Sequence, residues 1–165
     1  VKIYEQGFTN KYGFMAMEFF SRGDLKQRIE NGISPNNAFR YTLAIASGLE
    51  KIHEVGIIHR DLKPANIMFR GDDQLAIADF GISKRVDQTT QLTQVGMVMG
   101  TPYYMSPEQL RAGPLAQRAD LYSLGIILFE LLTGKKPFDA DSIPGIALKH
   151  LQTEAEPLPN KFKKL

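Results

Sequence analysis

Apolar and polar residues alternate, with interruptions, over Val1–Phe8 and again over Tyr12–Phe19, and Thr9-Asn10-Lys11 between them has turn composition. That pattern predicts an opening β-hairpin. Ser21-Arg22-Gly23 breaks the period, after which Asp24–Asn31 reads as a short helix stopped at Gly32. Ser34-Pro35 has the form of an N-cap followed by proline at the first helical position. Behind it Phe39, Leu43, Ala46, Leu49 and Ile52 recur at helical spacing as far as Gly56, and this stripe is expected to face the core.

Past Gly56 the period shortens. Ile57-Ile58, Ile67–Phe69 and Leu75–Ala78 read as short strands, the last two joined by a Gly71-Asp72-Asp73 turn. From Asp79 to Glu108 no period is sustained. Such a stretch inside a compact domain is usually functional or disordered. Arg118–Thr133 is apolar on nearly every side and closes on Gly134, which predicts a central, buried helix. Ser142–Leu151 reads as a further helix, and Pro157 and Pro159 make the end irregular. No internal repeat is present. A hairpin followed by helices around small strand pairs defines an α+β fold that is mainly α-helical.

Composition excludes several function classes. The 165 residues, 43% hydrophobic and 23% charged, suit one soluble domain with a core. A formal net charge of +2 gives no support to nucleic-acid binding, and Lys161, Lys163 and Lys164 read as a solvated tail. With no cysteine, disulfides and Cys-based zinc sites are excluded, and a cytosolic setting fits. Val1–Phe8 mixes charged and apolar residues, unlike a signal peptide. The longest apolar run, Leu121–Leu132, is interrupted by Tyr122, Ser123 and Glu130 and falls short of the ~18 residues of a membrane span.

Chemistry concentrates in His59-Arg60-Asp61-Leu62-Lys63-Pro64-Ala65-Asn66, a loop between two strand signals that holds an acid, a lysine and an amide within eight residues. Phosphoryl transfer needs a carboxylate to orient an attacking hydroxyl and accept its proton. It also needs oxygen ligands for Mg²⁺, which takes few of them from protein. Eighteen residues after Asp61, Asp79-Phe80-Gly81 offers a second carboxylate at the end of a strand. Either run alone is more commonly a polar turn.

Together these runs resemble the catalytic loop H-R-D-L-x-x-x-N and the D-F-G motif of protein kinases. Gly100-Thr101-Pro102-Tyr103-Tyr104-Met105-Ser106-Pro107-Glu108 resembles the end of a kinase activation segment, and Asp120 the aspartate that opens the central helix. The resemblance covers nearly the whole chain, and Pro64-Ala65-Asn66 with Ser106-Pro107-Glu108-Gln109 looks like the bacterial, eukaryotic-like serine/threonine kinases.

The resemblance implies roles by position. Asp61 would be the catalytic base, with Asn66 and Asp79 holding Mg²⁺ and Lys63 steadying the γ-phosphate of ATP. Lys63 and Thr101 match the serine/threonine class, so protein substrates bearing Ser or Thr are implied. His59 and Phe80 would pack and position the loops, and Asp120 would hold the catalytic-loop backbone. Met17-Glu18-Phe19-Phe20 resembles gatekeeper and hinge, where the backbones of Glu18 and Phe20 would bond adenine. Asp24 matches a ribose-contacting position, and Met68 would touch the adenine face. For Met17 and Met68 ordinary core packing is an equal reading.

The family pattern also has a Gly-rich loop, a strand lysine and a helix glutamate. No G-x-G-x-x-G occurs in the chain, and Lys2 lies too close to the hinge strands to be that lysine. The expectation is a partial kinase domain over 1–165: the last two strands of an N-terminal lobe over 1–19, and a C-terminal lobe lacking its final helices over 20–165. The parent would be the enzyme and this chain alone inactive, in a cytoplasmic domain of a parent that could be membrane-anchored. The partner of Glu108, an arginine near the domain's end in the family, would lie outside the piece.

Two rivals are small-molecule phosphotransferases of the aminoglycoside or choline type, which lack the Gly100–Glu108 segment, and a pseudokinase, which would usually have lost Asp61, Asn66 or Asp79. Regulation is expected at Thr93, with Thr89 and Thr90 as fallbacks because Met97 occupies the usual phosphosite. Arg60 would pair the phosphate, Lys84 would add a second cation, and self-association would serve autophosphorylation.

Overall fold

In a computed structural model the described residues are 1–9, 12–79 and 102–162. The opening hairpin is present: β1 (Ile3–Phe8) pairs antiparallel with β2 (Gly13–Met17), with an irregularity between Ile3 and Glu5. Both strands are exposed almost throughout, with Phe8 the most open of their large apolar residues and Phe19, just past β2, nearly as open.

Helix α1 (Leu25–Glu30) starts on Asp24, whose carboxylate accepts from the Gln27 N–H at 2.8 Å. Helix α2 (Pro35–Glu54) starts on Ser34, as the Ser-Pro pair predicts. Its buried face is Ala38, Tyr41, Ile45 and Leu49 rather than the whole expected stripe, and Leu43 is 70% exposed. The reason is angular. Leu43 lies two residues from both Tyr41 and Ile45, about 200° round a 3.6-residue helix from each. Ile57-Ile58 forms no strand: the Ile57 N–H instead donates to the Ile52 carbonyl at 3.1 Å and finishes the helix end.

β3 (Ile67–Phe69) and β4 (Leu75–Ile77) make the second antiparallel pair, and Ala78 N–H to Asn66 C=O at 2.8 Å extends that ladder. The segment from Asp79 to Glu108 is not wholly irregular. Ser106 and Gln109 form a reciprocal capping box that starts the short helix α3 (Pro107–Leu110).

Helix α4 (Arg118–Thr133) has the expected bounds and ends where Gly134 adopts φ +72°, a left-handed cap that suits a residue without a Cβ. Helix α5 (Ile143–Gln152) follows. The core lies between α2, α4 and the β3–β4 pair, with Ile45, Leu49, Leu62, Ile67, Phe69 and Ile127 almost wholly buried. Gly48 lets α2 approach β4 closely, since a Cβ there would lie 2.8 Å from Ile77 Cδ1. Among the described residues no helix is long and apolar enough to cross a membrane.

Candidate active site

The loop 59–66 lies between the end of α2 and the start of β3 and is bonded to the first turn of α4, so its shape depends on what its neighbours offer its backbone. Asp120, in the first turn of α4, is 1% exposed and points back into that loop. Its Oδ2 accepts from the His59 N–H and from His53 Nε2, both at 2.8 Å, and its Oδ1 accepts from the Arg60 N–H at 2.9 Å. A buried carboxylate is tolerable when donors surround it in this way.

His59 is fully buried, with Nε2 at 2.9 Å from the Ala78 carbonyl and Nδ1 at 3.3 Å from the Asp61 N–H. A carbonyl can only accept and an N–H only donate, so Nε2 carries the proton and Nδ1 is the acceptor. His59 thereby ties the candidate base to the strand that ends beside Asp79.

Lys63 Nζ donates to Asp61 Oδ2 at 2.8 Å. The Asn66 Nδ2 donates to the Asp61 carbonyl at 2.8 Å and reaches its Oδ2 at 3.4 Å. The acid, the lysine and the amide are therefore one cluster, in which Asn66 is buried and Asp61 and Lys63 are partly open. Asp79 stands exposed at the end of the β4 ladder. Arg60 and Asp79 both hold left-handed backbone, with φ +67° and +56°. For non-glycine residues such conformations cost about 1–3 kcal/mol each and persist only where surroundings enforce them.

A cavity of about 710 Å³ opens beside this cluster, lined in part by Lys26, Glu30, Asp61, Lys63, Tyr103, Tyr104, Glu130 and Lys136. Glu130, in α4, accepts from the Tyr104 hydroxyl at 2.6 Å and from Lys136 Nζ at 3.1 Å. Burial, then the bond to Glu130, raises the Tyr104 phenol far above its ordinary value, so it stays protonated and donates to Glu130.

The residues proposed to flank adenine are dispersed differently. Glu18 is held by its side chain: Arg70 donates to both carboxylate oxygens, and that bond lowers the Glu18 pKa. The Glu18 N–H is taken by the Lys2 carbonyl at 2.9 Å, and Phe20 is buried. Met17 is 40% exposed and Met68 partly buried, the latter bridged to Asp24 across an isolated β-bridge. Asp24 itself caps α1. Glu108 pairs at 3.8 Å with Arg118, a partner inside this chain. Phe80, Lys84, Thr89, Thr90, Thr93, Met97 and Thr101 lie outside the described residues.

Two contributors escaped the sequence reading. His53 drew no reading from the sequence, because no local signal pairs it with a carboxylate 67 positions away. Gln109 entered the sequence reading only within the Ser106-Pro107-Glu108-Gln109 resemblance, and nothing local marks it as a donor to the Arg60 carbonyl, which its Nε2 meets at 2.6 Å.

The protein kinase domain model matches residues 1–163 of this chain. Over 99% of its length the chain is 43% identical to a probable serine/threonine-protein kinase of Clostridium acetobutylicum, covering 25% of that protein. It is 41% identical to the serine/threonine-protein kinase PrkC of Bacillus subtilis, over 93% of this chain and 24% of PrkC. Against the serine/threonine-protein kinase PknL of Mycobacterium tuberculosis the identity is 38%, over 93% of this chain and 39% of PknL. The chain thus spans from about a quarter to two fifths of the length of these relatives.

Proposed function

This chain belongs to the protein kinase domain family, and on that premise we propose that the protein bearing it transfers the γ-phosphoryl group of ATP to serine and threonine hydroxyls of other proteins. The observation that carries the reading is the Asp61–Lys63–Asn66 cluster, whose Asp61 and Lys63 line a cavity large enough for a polypeptide side chain. Asp61 orients the hydroxyl and takes its proton as the oxygen–phosphorus bond forms and the bond to the ADP leaving oxygen breaks. Lys63, already paired with Asp61, offsets charge on the transferred group.

Asn66 spends its amide nitrogen on Asp61, which leaves Oδ1 as the end of the amide able to meet a cation. With the exposed carboxylate of Asp79 this is a hard oxygen pair, the donor chemistry that suits Mg²⁺. When bound, Mg²⁺ neutralises phosphate charge. Residues 1–19 would form the edge of the nucleotide site, with Met17, the Glu18 carbonyl, Phe20 and Met68 near adenine and Asp24 near ribose. Residues 20–165 would carry the chemistry, in a cytoplasmic domain.

The test is Asp61→Asn in the full-length protein. Transfer of radiolabel from ATP should fall by about 10²–10⁴-fold with the fold retained. Activity within threefold of wild type would refute the assignment.

Regulation is proposed at Thr93, with Arg60 as the main partner of its phosphate and Lys84 as a second cation; Thr101 would serve the serine/threonine preference. A phosphate brings about −1.5 to −2 charge, enough to order a segment against arginine. Mass spectrometry should find phosphate on Thr93 in the active full-length enzyme and not in its Asp61→Asn variant, which would also fit autophosphorylation through self-association. Undiminished activity of Thr93→Ala would end that proposal.

A further inference from the structure

The Arg60–Asp61 peptide unit is held at both of its polar ends. Its N–H, from Asp61, donates to His59 Nδ1 at 3.3 Å, and its carbonyl, from Arg60, accepts from Gln109 Nε2 at 2.6 Å. This plane sets the direction in which the Asp61 side chain leaves the backbone. It also follows a residue at φ +67°, which needs outside contacts to stay there.

Gln109 is committed at both ends as well. Its Oε1 accepts from the Ser106 N–H at 2.9 Å while its Nε2 serves Arg60, so partner chemistry fixes the amide orientation and forbids a flip. Helix α3 is four residues long, too short to persist by itself, and its start depends on this capping box. One carboxamide therefore closes the first turn of α3 and holds the peptide that aims Asp61. The two links are 3 and 49 residues apart in sequence.

We propose that Gln109 is a positioning residue that makes alignment of Asp61 conditional on the capped start of α3. The inference rests on the reading of Asp61 as base. Its two links can be separated chemically. A capping box accepts glutamate as readily as glutamine, because only the side-chain oxygen is used. Gln109→Glu therefore keeps the cap on α3 but sets an oxygen against the Arg60 carbonyl. Gln109→Met has similar length, removes both links, and adds no charge beside the Arg60 guanidinium.

In the full-length protein, both variants should lose about 10- to 100-fold in kcat, the scale of a misaimed catalytic group, while KM for ATP stays within twofold. Hydrogen–deuterium exchange should quicken over residues 57–66 in both variants and over 106–112 in Gln109→Met alone, with α4 unchanged. Two results would overturn the proposal: kcat within threefold of wild type in Gln109→Glu, or unaltered exchange over 57–66 in both variants. A loss confined to Gln109→Met would show that the cap alone matters, which also overturns it. If the wild-type protein transferred no phosphate, the kinase reading would fail, and the exchange measurement would still decide the link between α3 and the loop.

Discussion

Replacing Asp120 by asparagine changes only one atom's chemistry, yet three donors face that carboxylate. If the new amide keeps its oxygen toward His53 and His59, its NH₂ confronts the Arg60 N–H. If it turns round, the His59 N–H is left facing a donor. In either pose at least one buried backbone N–H is orphaned, at a cost of about 1–3 kcal/mol. The surviving bonds lose their charge assistance, worth about 1 kcal/mol each from the gap between charged and neutral hydrogen bonds. The sum is about 3–5 kcal/mol, and at about 2–4 °C per kcal/mol the unfolding midpoint should drop by roughly 6–20 °C. Relaxation of Arg60 from its left-handed conformation could return about 1–3 kcal/mol, but it would move the neighbouring Asp61. Stability and activity must therefore be read together, by calorimetric unfolding and phosphoryl transfer of the full-length Asp120→Asn protein. A midpoint within about 2 °C of wild type together with activity within threefold would refute the reasoning.

Ile127 is fully buried between α2 and α4, so Ile127→Ala should cost about 2–5 kcal/mol in denaturant unfolding; a loss below about 1 kcal/mol would mean the two helices do not share a close-packed core. His150 is buried, with Nδ1 at 2.8 Å from the Tyr122 hydroxyl and Nε2 without a hydrogen-bond partner among the described residues, and burial lowers its pKa. The unfolded chain therefore takes up the proton first: stability should be intact above the ordinary histidine value of about 6.5 and decline as pH falls from there toward the depressed folded value. His150→Gln should flatten that decline in a pH series of thermal midpoints, and an unchanged slope would exclude His150 as its source.

What could be read in advance follows from how local each signal is. Helix α4 has its expected bounds because an all-round apolar run and a left-handed glycine are properties of neighbouring residues. The Ser34-Pro35 start of α2 and the capped start at Asp24 are equally local. The stripe on α2 was misjudged at Leu43, where hydrophobic identity and helical face disagree and only packing decides. Ile57-Ile58 looked like a strand because β-branched residues fit strands, but among the described residues no strand pairs with it and the helix end claims the Ile57 N–H. The Asp61, Lys63 and Asn66 cluster was visible because its members lie within six residues. His53 and Gln109 act across 67 and 49 positions, a separation that no period or spacing encodes.

The same distinction explains where the site's rigidity comes from. Strands β3 and β4 have three residues each, and a two-stranded pair of that size is marginal in water. It cannot by itself hold a loop that carries a left-handed arginine. The loop is braced instead from three elements distant in sequence: α4 through Asp120, α3 through Gln109, and the end of β4 through the Ala78 carbonyl. Each brace meets a backbone group or the fully buried His59, and none needs the identity of the Arg60 side chain. That side chain lines the cavity beside Asp61 and so can answer to whatever enters it, while its backbone stays fixed by the core. A substitution at Arg60 that keeps the backbone tolerable should therefore separate control of the site from its geometry, whereas one at Asp120 should disturb both at once.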